Sequence, residues 1–149
     1  MKTTLLILFS IFSISGRAQS LAALQNALKS SDKAVQAIHG YPASVYQGKC
    51  HWVPVSNIEL QGNQLTVTET WASPYGQATT TLTGTIQNGR VSGNWASGFS
   101  SGIWSYNFGT SSGQWNKTKS MAQKFDEMYF LKFRIVPNNQ LRDGPYDCI

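Results

Sequence analysis

A strict alternation of apolar and polar side chains in the middle of the chain limits its fold more than any other feature. One face of an extended segment carries Leu65, Val67, Glu69 and Trp71, and the other carries Thr66, Thr68 and Thr70. This period of two residues is typical of a β-strand with one buried face. Further along, Asn88-Gly89 favours a two-residue hairpin turn. The central chain is therefore predicted to be antiparallel sheet.

Later segments repeat the alternation and are separated by short turns. Trp104, Tyr106 and Phe108 form a one-sided aromatic row, and Tyr129–Val136 is the most apolar candidate strand. Short connections join antiparallel neighbours, because parallel strands need longer crossovers. We predict an antiparallel meander over residues 44–136, forming a small barrel or a strongly curved sheet, with a short helical turn over 120–128.

A different period precedes the meander. Leu21, Leu24, Leu28, Val35 and Ile38 recur at helical spacings. Ser30-Ser31-Asp32 interrupts this stripe, and Gly40 and Pro42 end it. An amphipathic helix is predicted over residues 19–40, packed on the sheet, which gives a mainly β protein of the α+β class.

The tripeptide Gly-x-Trp occurs three times. The glycines are Gly93, Gly102 and Gly113, and the tryptophans follow one another at nine and eleven residues, about one strand plus one turn. Glycine in a strand bends the sheet or makes room for a neighbouring ring. The repeat therefore predicts curvature and filling of the core.

The meander resembles the small secreted β-barrels of the calycin kind, which bind ligands in the barrel mouth. The resemblance covers residues 44–136 and consists of the strand pattern. Lipocalins carry Gly-x-Trp on the first strand, whereas the corresponding segment here is Gly48-Lys49-Cys50-His51-Trp52. The helix also precedes the strands instead of following them, so no family is assigned.

The first 18 residues have the pattern of a secretory signal peptide. Lys2 precedes an apolar run over residues 5–12, and Gly16 and Ala18 are suitably small before a cleavage at Gln19. The run is too short to span a membrane. We expect a secreted or periplasmic protein with one domain over residues 19–149 and no transmembrane segment after cleavage.

The expected mature chain carries 10 basic and 7 acidic side chains, a net charge of +3. The basic residues do not cluster into a patch that could follow phosphates, so nucleic acid is not an expected partner. Both cysteines, Cys50 and Cys148, remain after cleavage. An even number in an exported protein indicates one disulfide, which would tie down the tail over residues 137–149. Two free buried thiols are the alternative.

Glu69 is the one charged residue on an apolar strand face. A buried carboxylate is costly unless it is paired or protonated. It is therefore a candidate ligand anchor or general acid. The alternatives are a strand end near solvent and an ion pair with Arg90 or Arg134.

Aromatic residues are the other positive feature, at 12% of the chain. Most are expected in the core. Trp71 and Tyr75 flank a turn, and Phe99 lies between glycine and serine residues. With Glu69 and Trp104, these three rings form the predicted ligand-binding set.

Several chemistries lack their sequence signals. Two histidines without suitably spaced carboxylates predict no metal site. The chain has no nucleophile elbow and no phosphate-binding glycine loop, and no cofactor is expected. The expectation is a protein that is not an enzyme.

We therefore expect an exported, non-enzymatic protein that binds a glycan or a small apolar ligand through an aromatic-lined β surface. The alternative is an inhibitor or immunity protein that binds a toxin or hydrolase. A small hydrolase that uses Glu69 is a third, less favoured possibility.

Overall fold

The computed structural model describes residues 20–41, 47–98, 100–117 and 129–148. The expected signal peptide, Phe99 and the expected helical turn over 120–128 lie outside these ranges. A helix, α1 (Leu21–Lys29), comes first. The strands that follow are β1 (Lys33–Gly40), β2 (Lys49–Gln61), β3 (Gln64–Ser73), β4 (Gly76–Gln87), β5 (Arg90–Ser97), β6 (Ser101–Asn107), β7 (Ser112–Lys117), β8 (Tyr129–Pro137) and β9 (Gly144–Asp147).

Eight strands form a closed antiparallel barrel. Strands β2 to β8 pair in chain order, and β1 completes the circle by pairing with both β8 and β2. The ninth strand pairs with β2 over Lys49–Trp52, on the edge opposite β1 and next to the segment that pairs with β3. The prediction of an antiparallel barrel with a helix packed on it is confirmed.

The predicted helix over residues 19–40 is wrong in its second half, because Lys33–Gly40 is strand β1. Val35 and Ala37 face the barrel interior, while Ile38 packs outside against Cys50 and Trp52. The tail covers the same outer face, where Gln36 Nε2 donates to the Arg142 carbonyl at 2.7 Å. A strand buried on both faces shows no alternation, and its apolar residues here happen to continue the helical stripe.

Helix α1 lies against one end of the barrel. Ser20 caps it by accepting a hydrogen bond from Ala23 N at 3.1 Å. Leu24 and Ala27 are buried in the same apolar cluster as the barrel interior. Gln25 also bonds the carbonyl of Ile58, near the end of β2. The helix therefore covers the end at which β1 begins and β2 ends.

The aromatic row formed by Trp104 and Tyr106 of β6 and by the following Phe108 fills the interior. Tyr106 lies between Phe108 and Phe133, with ring centroids 5.0 and 4.7 Å away. Its hydroxyl accepts a hydrogen bond from Phe133 N at 3.1 Å. Burial raises the pKa of Tyr106 to about 12, so this hydroxyl stays protonated at neutral pH.

The three Gly-x-Trp glycines lie where neighbouring groups leave no room for a side chain. A Cβ on Gly102 would lie 1.7 Å from the Asn116 carbonyl oxygen and 2.6 Å from Trp95 Nε1. A Cβ on Gly113 would lie 2.4 Å from the Tyr106 ring. These positions require glycine because strand backbones and rings approach them closely.

The predicted disulfide between Cys50 and Cys148 is present and joins β2 to the end of the tail. Cys50 is fully buried beside Ile38 and Trp52. The bond closes a loop of 98 residues. Such a long loop restricts the unfolded chain strongly, which stabilises the folded state.

Replacing Gly102 with alanine should lower the free energy of unfolding by about 1–3 kcal/mol, because the strands must separate to admit a methyl group. Urea denaturation measures this change. Gly98→Ala is the matched control, since nothing lies within 4 Å of a Cβ there. Equal stabilities for the two variants would contradict the close-approach interpretation.

Removing the disulfide with Cys50→Ala and Cys148→Ala together should lower the free energy of unfolding by about 2–5 kcal/mol. Denaturation of the reduced wild type should show a similar loss. A double variant as stable as the oxidised wild type would show that the tail is held by its other contacts.

Candidate functional site

A cavity of about 320 Å³ opens at the barrel end opposite helix α1. This mouth lies where β1 and β3 end and where β2 and β4 begin. Side chains of six strands and two connecting segments line it: His39, Tyr41, His51, Val53, Glu69, Trp71, Thr80, Leu82, Trp95, Ser97, Ser100, Trp115 and Lys117. The cavity is large enough for a small organic ligand of about one ring.

A histidine–glutamate pair lies among the buried residues of this cavity. His39 Nε2 is 2.6 Å from Glu69 Oε2, and the two residues are 8% and 2% exposed. Their strands are neighbours of β2, where His39 is level with His51 and Glu69 is level with Val55. The inward period of β1 and β3 thus brings together two residues that are 30 positions apart.

This pair overturns two expectations for Glu69. The carboxylate does not lie near solvent, and its partner is His39 instead of Arg90 or Arg134. The apolar spacing predicted that His39 ends a helix. That prediction gave no indication that its side chain points into a barrel from a strand. Removing either residue would leave the other as a buried polar group without its partner, which costs about 1–3 kcal/mol.

Trp115 is the centre of the aromatic wall. Its ring meets the rings of four neighbours edge to face, with centroid distances of 5.2 to 5.8 Å: His39, Tyr41, Trp95 and Tyr129. Edge-to-face contacts fix the orientation of aromatic rings. The wall is therefore preformed, with His39 held by Trp115 on one side and by Glu69 on the other.

The three indoles of the cavity differ in how their N–H groups are used. Trp71 donates to Thr80 Oγ1 at 3.0 Å, and Trp95 donates to the Asn116 carbonyl at 2.9 Å. The buried Trp115 Nε1 has no hydrogen-bond partner among the described residues. A buried donor without a partner costs about 1–3 kcal/mol. The aromatic wall therefore contains one buried N–H donor, that of Trp115, without a partner among the described residues.

Polar and charged groups surround the opening. His51 Nε2 lies 3.6 Å from Asp143 Oδ1, and Lys117 lines the cavity from β7. Burial lowers the pKa of His51, and the nearby Asp143 carboxylate opposes this shift only in part. His51 is therefore neutral at pH 7 and can donate or accept a hydrogen bond.

The predicted ligand-binding residues lie in different places. Glu69 and Trp71 line the cavity, and Tyr75 is 93% exposed in the turn between β3 and β4 at the same end. Trp104 does not line it: the ring is buried in the barrel interior near Phe133, and its N–H bonds the Thr83 carbonyl. Phe99 lies outside the described residues.

Of the thirteen residues that line the cavity, Glu69 and Trp71 were predicted. The other eleven, which include His39, His51, Trp95 and Trp115, were missed. The alternation of strand faces could have identified the two tryptophans. Each lies two residues after the glycine of a Gly-x-Trp tripeptide, and therefore on the same inward face as that glycine. The repeat was interpreted as curvature of the sheet and filling of the core. The two histidines had no local signal, since their proximity depends on the pairing of β1 with β2.

Comparisons with protein-family models, curated proteins and solved structures found no match to this chain. In the described part of the chain, no helix is long and apolar enough to cross a membrane. The same residues contain no group of three potential metal ligands.

The depressed pKa of His51 predicts a stability that depends on pH. The unfolded chain takes up a proton near the ordinary value of 6.5, whereas the folded chain resists protonation. Stability is therefore lost as the pH falls below about 6.5, toward the folded-state pKa.

His51→Gln should lose less stability than the wild type between pH 7 and pH 5, as measured by urea denaturation at both values. The carboxylates titrate in both proteins, so the difference between them isolates His51. An equal loss in the two proteins would show that His51 protonates as easily in the folded state as in the unfolded state.

Proposed function

We propose that this chain is an exported binding protein that holds a small ligand of about one ring in the mouth of its barrel. The observation that carries the proposal is the cavity itself, with aromatic walls around a buried His39–Glu69 pair. Export is supported by the signal-like residues 1–18 and by the Cys50–Cys148 bond.

The chemistry of the cavity favours a ligand with both apolar and polar faces. Trp71, Trp95 and Trp115 offer ring surfaces, while Thr80 and Ser97 offer hydroxyl groups. A purely apolar ligand would leave the His39–Glu69 pair facing hydrocarbon. A sugar ring satisfies both requirements, because its C–H face packs on indoles and its hydroxyls bond polar groups.

The cavity also favours ligand binding over the inhibitor or immunity role. A continuous exposed apolar patch would favour that role. In the described ranges, the exposed large hydrophobic residues are Leu60, Tyr75 and Leu141, which lie in three different segments. The concentrated aromatic surface lies inside the mouth instead.

Native mass spectrometry of the protein isolated undenatured from its own host tests the proposal. We expect a bound mass of a few hundred daltons, in keeping with the size of the cavity. Ser97→Phe should abolish it, since this side chain lines the cavity. Ala96→Phe is the matched control, because Ala96 is exposed and points away from the cavity.

Three results would count against the proposal. A bound protein would favour the inhibitor or immunity role. A small molecule retained by Ser97→Phe would place its site elsewhere on the chain. A protein recovered without any small molecule, and unable to bind one from an extract of the host, would contradict the proposed function.

A further inference from the structure

We infer that the mouth cavity interconverts the anomers of a reducing sugar, with the His39–Glu69 pair transferring the protons. The inference rests on the proposed sugar ligand and extends it from binding to catalysis. It requires no metal, cofactor or covalent nucleophile.

Each member of the pair keeps one polar atom available. Nε2 of His39 and Oε2 of Glu69 bond each other, which leaves His39 Nδ1 and Glu69 Oε1. Neither of these two bonds another group among the described residues, and neither is one of the fully buried polar atoms without a partner. Both residues line the cavity. Each of the two atoms therefore keeps some exposed surface, in a residue that borders the cavity.

A structural role alone does not account for this pair. A buried ion pair gains little over apolar residues of the same volume, because removing both charges from water is costly. Elsewhere the interior is filled by apolar clusters such as Leu65, Val67 and Phe133. The His39–Glu69 pair lies where the interior meets the cavity, so its polar atoms border the space that a ligand would occupy.

The number of carboxylates decides against hydrolysis of a glycoside. Both common mechanisms need two carboxyl groups on either side of the bond that breaks. Among the described residues, Glu69 is the one carboxylate that lines the cavity. Opening a hemiacetal ring needs only one proton acceptor and one proton donor, and the ion-pair form of His39 and Glu69 supplies both.

The proposed step balances without a co-reactant. Glu69 Oε1 accepts the proton of the anomeric hydroxyl, the bond from the anomeric carbon to the ring oxygen breaks, and a carbonyl forms. Protonated His39 donates its Nδ1 proton to the ring oxygen. After rotation about the adjacent C–C bond, the reverse transfers close the ring on the other face and restore the pair. The Nε2–Oε2 hydrogen bond persists throughout.

The rate should depend on pH in a bell-shaped manner. A step that needs one proton acceptor and one proton donor gives a rate that falls on both sides of an optimum pH. The other titratable or charged groups facing the pair are Tyr41 at the end of β1, His51 on β2, Lys117 on β7, and Asp143, which faces His51.

The test compares reducing sugars with blocked analogues. Freshly dissolved α-D-glucose and α-D-galactose are followed by polarimetry, with and without the full mature protein. Binding of the methyl α-glycosides, whose anomeric oxygen carries no proton, is measured by tryptophan fluorescence. We expect saturable binding of at least one glycoside and saturable acceleration of anomer exchange by the matching free sugar.

Substitutions of Glu69 and His39 test whether these two residues carry out the proton transfer. Glu69→Gln and His39→Gln should each reduce the protein-dependent rate by about 100-fold or more. Glu59→Gln is the matched control, because Glu59 is exposed on β2 away from the cavity. Circular dichroism checks that each variant is folded. If a Gln variant fails to fold, the bell-shaped pH profile of the wild type and the blocked-sugar comparison still decide.

The outcomes separate the two proposals. Binding of a glycoside without faster anomer exchange would overturn the catalytic inference and leave the sugar-binding function standing. Failure of both glycosides and both sugars to bind would overturn the sugar ligand and the inference together. A rate lost in His51→Gln and retained in Glu69→Gln would place the proton transfer outside the pair.

Discussion

The structure depends on the pairing of β1 with two partners at once. Its hydrogen bonds to β8 and to β2 turn a curved meander into a closed barrel. Without β1, strands β2 and β8 would be open edges with unpaired backbone groups. Closure also sets the register that places His39 level with His51. The same pairing of β1 therefore closes the barrel and positions the candidate site.

The two ends of the barrel have different characters. At one end, Leu24 and Ala27 of helix α1 join the interior cluster and cover it with apolar surface. At the other end, the inward positions carry His39, Glu69 and Thr80, and a cavity remains open. Glycines such as Gly102 let strands and rings approach closely between the ends. A well-packed interior next to an unfilled mouth is suited to holding a ligand without rearrangement.

The buried pair and the aromatic wall support each other. Trp115 contacts His39 edge to face, and Glu69 bonds the same imidazole from another strand. The imidazole is thus held in one orientation by packing and by a hydrogen bond. Groups fixed in this way need little reorganisation when a ligand binds. This arrangement connects the proposed binding function with the proposed proton transfer.

The sequence alone determined the local features of this protein. The antiparallel sheet was predicted from the alternation in β3 and β6 and from the Asn88-Gly89 turn. The disulfide was predicted from the cysteine count. Each of these signals lies in neighbouring residues or in the composition. Tertiary structure decided the rest. The strand nature of β1 was hidden because both its faces are buried, and the same burial concealed the direction of His39. The pairing of His39 with Glu69, and the exclusion of Trp104 from the cavity, follow from strand register and barrel closure, which are long-range contacts that no local pattern encodes.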